Sequence, residues 1–161
     1  MEPLFQNSHV IKLKDRDFVM DPNGTGPGSV KLRNKDFVGK DGYIMAFWQS
    51  CPHCRTKEDF WDYLATQFNR NPQYQRENFL IAILDIEDPE AQQVVRQLEI
   101  TGVPRFFHVI SDPNNPRLAK IVDYQGDLSI EGLLGAVCNH SAKGNLCGFD
   151  SKRLRPPAIG H

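Results

Sequence analysis

Phe47-Trp-Gln-Ser-Cys-Pro-His-Cys-Arg55 is the stretch around which the rest of this chain is read. Immediately upstream, Tyr43-Ile-Met-Ala-Phe-Trp48 is a continuous apolar run, which suits a central strand buried on both faces. Downstream, the spacing predicts a helix from Arg55 to Asn69, with Phe60, Trp61, Leu64 and Phe68 on one stripe and Asn71-Pro72 ending it. A Cys-x-x-Cys therefore falls between a buried strand and the start of a helix.

Further along, Phe79 to Asp85 reads as a second buried strand, and Pro89 sits near the start of a helix running to about Glu99. Thr101-Gly-Val-Pro104 breaks the chain before a third strand, Arg105 to Ile110. A turn over Ser111 to Pro116 leads into a fourth strand, Leu118 to Tyr124. Ser129 suits the N-cap of a last helix, with Leu133, Leu134 and Val137 facing inward. Strands joined by helices, then a hairpin and a closing helix, describe an α/β fold with a mixed central sheet flanked by helices.

The first forty residues hold a weak repeat, Val10-Ile-Lys-Leu-Lys-Asp-Arg-Asp-Phe-Val19 and Ser29-Val-Lys-Leu-Arg-Asn-Lys-Asp-Phe-Val38. Two copies cannot form a solenoid, so they read as two short strand-like segments joined by the turn-rich Asp21 to Gly28. Either copy suits the first strand of the core, and the second, nearer the Cys-x-x-Cys, is preferred. The expected division is an N-terminal extension and loop over 1–28, a globular domain over 29–142 and a basic C-terminal tail over 143–161.

At 161 residues, with 40% hydrophobic and 24% charged residues, the chain can bury one core without staples. Nineteen basic against twenty acidic residues leave a net charge of −1, so no global field recruits nucleic acid or an anionic membrane. No apolar run is long enough to span a bilayer, and Met1-Glu2-Pro3 opens no signal peptide. The expectation is a cytoplasmic protein, although a leader removed from a longer chain would leave the same sequence.

The Phe47–Arg55 stretch, together with Thr101-Gly-Val-Pro-Arg-Phe-Phe107, resembles the thioredoxin superfamily. Asp123-Tyr-Gln-Gly126, followed by Ser129-Ile-Glu-Gly-Leu-Leu134, is similar to the closing segment of protein disulfide isomerase-like thioredoxin domains. The resemblance covers roughly residues 29 to 138 and implies a thioredoxin fold and a protein-disulfide oxidoreductase. In that chemistry Cys51 is the exposed nucleophile, its thiolate favoured by the amides and dipole of a helix N-terminus. His53 tunes the thiolate, Pro52 stiffens the turn and Cys54 resolves the mixed disulfide. Pro104 matches the family's cis-proline, presenting the Val103 backbone to an extended substrate.

The Cys-Pro-His-Cys motif itself resembles that of bacterial periplasmic disulfide oxidases, which points to an oxidising or isomerising couple. The short distance from Cys51 to Pro104 matches the compact thioredoxin or isomerase body instead. The resemblance implies no cofactor and no metal, so electrons pass between protein thiol or disulfide substrates and an upstream thiol redox partner.

Three positions depart from the family pattern. Met45 stands where a buried acid is usual, Ile83 where a lysine follows on the next strand, and Leu128 where isomerase domains carry an arginine. These departures support an alternative, a thioredoxin-fold peptide-binding module with little catalysis that uses the Val103-Pro104 groove. A third reading takes Cys51 and Cys54 as half of a zinc site completed from Cys138, His140 and Cys147. For Cys138 and Cys147 themselves, unpaired thiols are the simpler expectation and a loop-closing disulfide the alternative. Phe47, Trp48, Phe60, Trp61 and Phe68 read as core, and Lys152, Arg153 and Arg155 as a solvated end rather than a nucleic-acid patch.

Overall fold

The computed structural model describes residues 2–140 and 148–159. In chain order the elements are β1 (Ile11–Lys12), β2 (Phe18–Met20), β3 (Val30–Leu32), β4 (Asp41–Phe47), α1 (Pro52–Ala65), α2 (Pro72–Gln75), β5 (Phe79–Asp85), α3 (Gln92–Gln97), β6 (Arg105–Asp112), β7 (Asn115–Tyr124) and α4 (Ile130–His140). The strands make one sheet in the order β1-β5-β4-β6-β7-β3-β2. β4 pairs with β5 in parallel and with β6 antiparallel, so the sheet is mixed, as the element order implies. Among the described residues no helix is long and apolar enough to cross a membrane.

All seven residues of β4 are buried, because helices cover both of its faces. Alternation along the strands sorts the side chains. Tyr43, Met45 and Phe47 join Phe79, Ile81 and Ile83 in a cluster that also takes in Phe60, Trp61 and Leu64 of α1 and Leu133, Leu134 and Val137 of α4. Ile44 and Ala46 join Leu80, Ala82 and Leu84 in a second cluster with Val94 of α3 and Leu98 just beyond it. Inside the first cluster the Tyr43 hydroxyl donates to the Leu133 carbonyl at 2.6 Å, and the Trp61 indole N–H donates to the Ala82 carbonyl at 3.0 Å. Both buried donors are thereby satisfied.

The first copy of the repeat reaches both edges of the sheet, and the second lies beside it at one of them. The first supplies β1, which pairs in parallel with β5, and β2 at the far edge. The second supplies β3, which pairs antiparallel with β7 and β2. The preference for the second copy as the first core strand is therefore corrected. What the copies share is burial: Leu13 and Leu32, and Phe18 and Phe37, all enter the second apolar cluster.

Three further expectations change. The predicted helix to Asn69 is α1 followed by a π-helical turn, Thr66–Arg70, closed by the Asn71 N–H on the Thr66 carbonyl. The wide turn sets the Asn69 side chain against β5, where it accepts from the Ile81 N–H and donates to the Ile81 carbonyl, each at 2.9 Å. Within the stretch read as a basic tail, residues 148–159 dock on the domain, while Lys152, Arg153 and Arg155 stay exposed. Leu154 is buried, Phe149 packs on Phe68 and Tyr74, and the Arg155 N–H donates to the Tyr63 hydroxyl at 2.7 Å. Cys138 is disulfide-bonded rather than a free thiol; Cys147 lies outside the described residues.

Candidate active site

β4 ends at Phe47, and Trp48-Gln-Ser50 turns the chain into α1. Cys51 is the N-cap of that helix and Pro52 its first residue, a position where the missing N–H costs nothing. The Cys54 N–H donates to the Cys51 sulfur at 3.1 Å, so a helix-terminal amide points at this sulfur and would serve a thiolate well. Both cysteines are free thiols.

Cys51 is less accessible than the sequence implies, with 4% of its surface exposed, and Cys54 has none. The loop before β6 packs over Cys51, and the Cys51 thiol faces the Val103 carbonyl at 3.8 Å. The Val103–Pro104 bond is cis, as the resemblance implies. His53 and Pro52 lie exposed on the first turn of α1, and the His53 carbonyl accepts from the Thr56 hydroxyl at 2.7 Å. Sequence spacing therefore brought Cys51, Pro52, His53, Cys54, Val103 and Pro104 to one mouth.

Burial, reinforced by the hydrogen bond with Cys51, pushes the Cys54 thiol up to about 12. The Trp48 backbone and the Lys57 charge pull the other way without reversing it. Met45 and Ile83 are register partners on β4 and β5, and both lie in the same apolar cluster as the two cysteines. The two departures noted in the sequence thus meet across one strand pair, where a lone charge would be costly and a joint apolar replacement is not. Leu128 packs against that cluster as well. Among the described residues no group of three or more His, Cys, Asp or Glu is placed to hold a metal ion.

Several contacts around the mouth carry no sequence signal. Trp48, read as core, is 39% exposed, because β4 stops one residue earlier and the turn carries the indole outward. Residues 2–5 run along the start of α1. The Leu4 N–H donates to the Gln49 side chain and the Phe5 N–H to the Glu58 carboxylate, each at 2.6 Å. Arg55 spans the active turn, donating to the Glu2 and Gln49 carbonyls, both at 3.0 Å. Phe5 is held at a φ of 61°, a strained setting for a bulky residue, and its ring meets Phe47 edge-on at 5.3 Å. On the other side of the mouth, Arg105 binds Asp123 and the carbonyls of Leu98 and Glu99.

With β4 leading into a thiol pair at a helix start and β6 leading away from a cis-proline, the chain has the thioredoxin fold. Among solved structures it is similar to the first thioredoxin domain of mouse protein disulfide-isomerase A4, at 15% identity over 91% of this chain and 90% of that one, with a TM-score of 0.47. It is also similar to the short form of spinach chloroplast thioredoxin f, at 15% identity over 76% and 85%, with a TM-score of 0.41. A thioredoxin from Thermus thermophilus gives 17% identity over 73% and 85%, with a TM-score of 0.36. No curated protein matches the chain. The model of the OST3 / OST6 family, transporter family, matches residues 45–140, from the strand before the thiol pair to the end of α4. The chain belongs to the OST3 / OST6 family.

Proposed function

We propose that the chain is a thiol–disulfide oxidoreductase that acts on protein thiols through Cys51 and Cys54. The observation that carries this reading is the Cys51 sulfur at the N-cap of α1, accepting the Cys54 N–H at 3.1 Å and facing the Val103 carbonyl beside the cis-proline. In the oxidising direction a client thiolate attacks Cys51 of the Cys51–Cys54 disulfide, and Cys54 leaves and takes up a proton. A second client thiolate then attacks the client sulfur of the mixed disulfide and releases the Cys51 thiolate. The client loses two electrons, the pair gains them, and an upstream disulfide-bearing protein restores the pair. Pro52 holds the turn, and His53, exposed on the first helical turn, serves the Cys51 thiolate. Val103 and Pro104 receive an extended client segment.

A second reading, a binding module that holds clients with little turnover, is favoured by the Cys54 environment. A thiol held near 12, with Met45 and Ile83 where a base and its partner would stand, attacks a mixed disulfide slowly at neutral pH. A client joined to Cys51 would then remain attached for a long time.

A redox titration in glutathione buffers, with thiol trapping and mass spectrometry at Cys51 and Cys54, tests the first reading. A midpoint toward the isomerase and oxidase values of about −180 to −120 mV is expected. A midpoint at or below about −270 mV would make the protein a reductase. A pair that does not exchange sinks the redox reading, and client binding that survives Cys51→Ser would then favour the module.

A further inference from the structure

We propose that Arg105, held by Asp123, is a positioning residue for client recognition: a clasp that fixes the Val103–Pro104 edge of the site relative to Cys51. The inference deepens the redox reading above and rests on it for the identity of the client.

The chain leaves α3 through Leu98 and reverses at Glu99, which adopts a φ of 56°. A helix end of this kind leaves backbone carbonyls in search of donors. Arg105 supplies them from the far side of the loop, its Nη1 donating to the Leu98 carbonyl at 3.2 Å and the Glu99 carbonyl at 3.1 Å. One guanidinium thus ties together the two ends of the segment from residue 98 to residue 105. Between the tie points Thr101 and Gly102 are exposed, while Val103 directs its carbonyl at the Cys51 thiol.

The remaining donors of Arg105 are also used. Nε and Nη2 form a two-point fork with the Asp123 carboxylate, at 3.0 and 3.1 Å, and the guanidinium lies 4.8 Å from the Phe107 ring centroid. Asp123 sits on β7 opposite Phe107 of β6, so the fork is fixed to the sheet rather than to another loop. A planar five-donor group serves all three directions at once, which an ammonium cannot do. The Arg105 and Asp123 side chains remain 26% and 41% exposed, and ion pairs that wet contribute little to global stability. What the clasp fixes is the loop next to it.

The test uses the full chain with Arg105→Lys and, as a gentler second variant, Asp123→Asn. Two rates are compared for each protein: Cys51 with the small disulfide 5,5′-dithiobis(2-nitrobenzoate), and Cys51 with an unstructured peptide disulfide. In parallel, Cys51→Ser versions are titrated with the same peptide, its cysteines blocked, by tryptophan fluorescence. The expected result is a peptide-to-small-disulfide rate ratio about tenfold below wild type, expressed in KM rather than kcat, with peptide Kd raised by a similar factor. Thermal unfolding should stay close to wild type. An unchanged ratio and Kd overturn the clasp, and so does an equal fall with both disulfides. A wild-type chain that reacts with neither disulfide refutes the redox reading instead, and the Kd comparison then decides the clasp alone.

Discussion

Cys54 has no exposed surface and a thiol pushed up to about 12, so at pH 7 almost none of it is thiolate. Its attack on a Cys51 mixed disulfide should therefore quicken about tenfold per pH unit between pH 7 and 10, which stopped-flow release of a labelled peptide from Cys51 would show. A flat profile would mean that some base serves Cys54. The same raised value has a stability consequence: the buried neutral thiol is favoured in the fold, and that advantage fades as pH climbs from about 9 toward 12. Gly42 is the other position where a single atom decides. A Cβ there would meet the Leu80 carbonyl oxygen at 2.0 Å, in the middle of a parallel strand pair. Gly42→Ala should cost about 3 kcal/mol or more, read as a drop in the denaturant midpoint. The placement of Cys51, Cys54 and Pro104 was legible because their spacing is local to a strand end and a loop. Arg105 was not, since the partners that give it meaning come from α3 and β7.

At the level of elements, the segment before β2 is tied to the start of α3 by charge. Lys14 pairs with Asp88, which caps the short turn Pro89–Ala91 before α3, and Asp15 accepts from the Val94 N–H at 2.8 Å, so neighbouring residues anchor that turn and α3 by different means. The hydrogen bond with Lys14 holds the Asp88 carboxyl below its usual range, and the bond with Asp88 raises Lys14 above its own. The depressed carboxyl stabilises the fold above its unfolded value near 3.8, and this is lost as pH falls through its lower folded value. The raised ammonium contributes below about 10.5 and is lost as pH rises through its folded value. Lys14→Met should remove about 0.5–1 kcal/mol at pH 7 and flatten the acid limb below pH 4, measured by thermal melts across pH. A wild-type acid limb retained in the variant would place that limb on other carboxylates. Periodicity placed β4, β5 and α4 well, because each buries a regular stripe. It missed the π turn at Thr66–Arg70, which brings Asn69 to the backbone of Ile81, a contact without a periodic signature.

Across the whole molecule, the sheet is longer than its central strands require, because the two copies of one short motif extend it at both ends. Composition showed that a core exists but not that residues near the start and close of the chain would help to build it. Leu4, Phe5 and Leu154 all join the cluster under α1 and α4. Leu13 and Leu32, equivalent in the repeat, are both buried in the opposite cluster. Truncating either to alanine should cost about 2–5 kcal/mol. Chevron plots should show most of that loss in the unfolding rate, with folding nearly untouched. A matching slowdown of folding would place that strand in the rate-limiting nucleus.

The reason lies in the order in which the sheet can close. Ile11 must wait for Ala82 before β1 has a partner, and β3, paired with the nearby β2, must wait for Lys120 before it joins the rest of the sheet. Hairpin β6–β7 and the β4–α1–β5 unit join nearer neighbours and lose less entropy in closing. Until those units meet, two look-alike segments remain unseated, each carrying the Lys-Leu and Asp-Phe-Val that the other's berth accepts. The topology therefore favours assembly from the middle of the chain outward, and leaves open a misfolded species in which one segment docks in its twin's place.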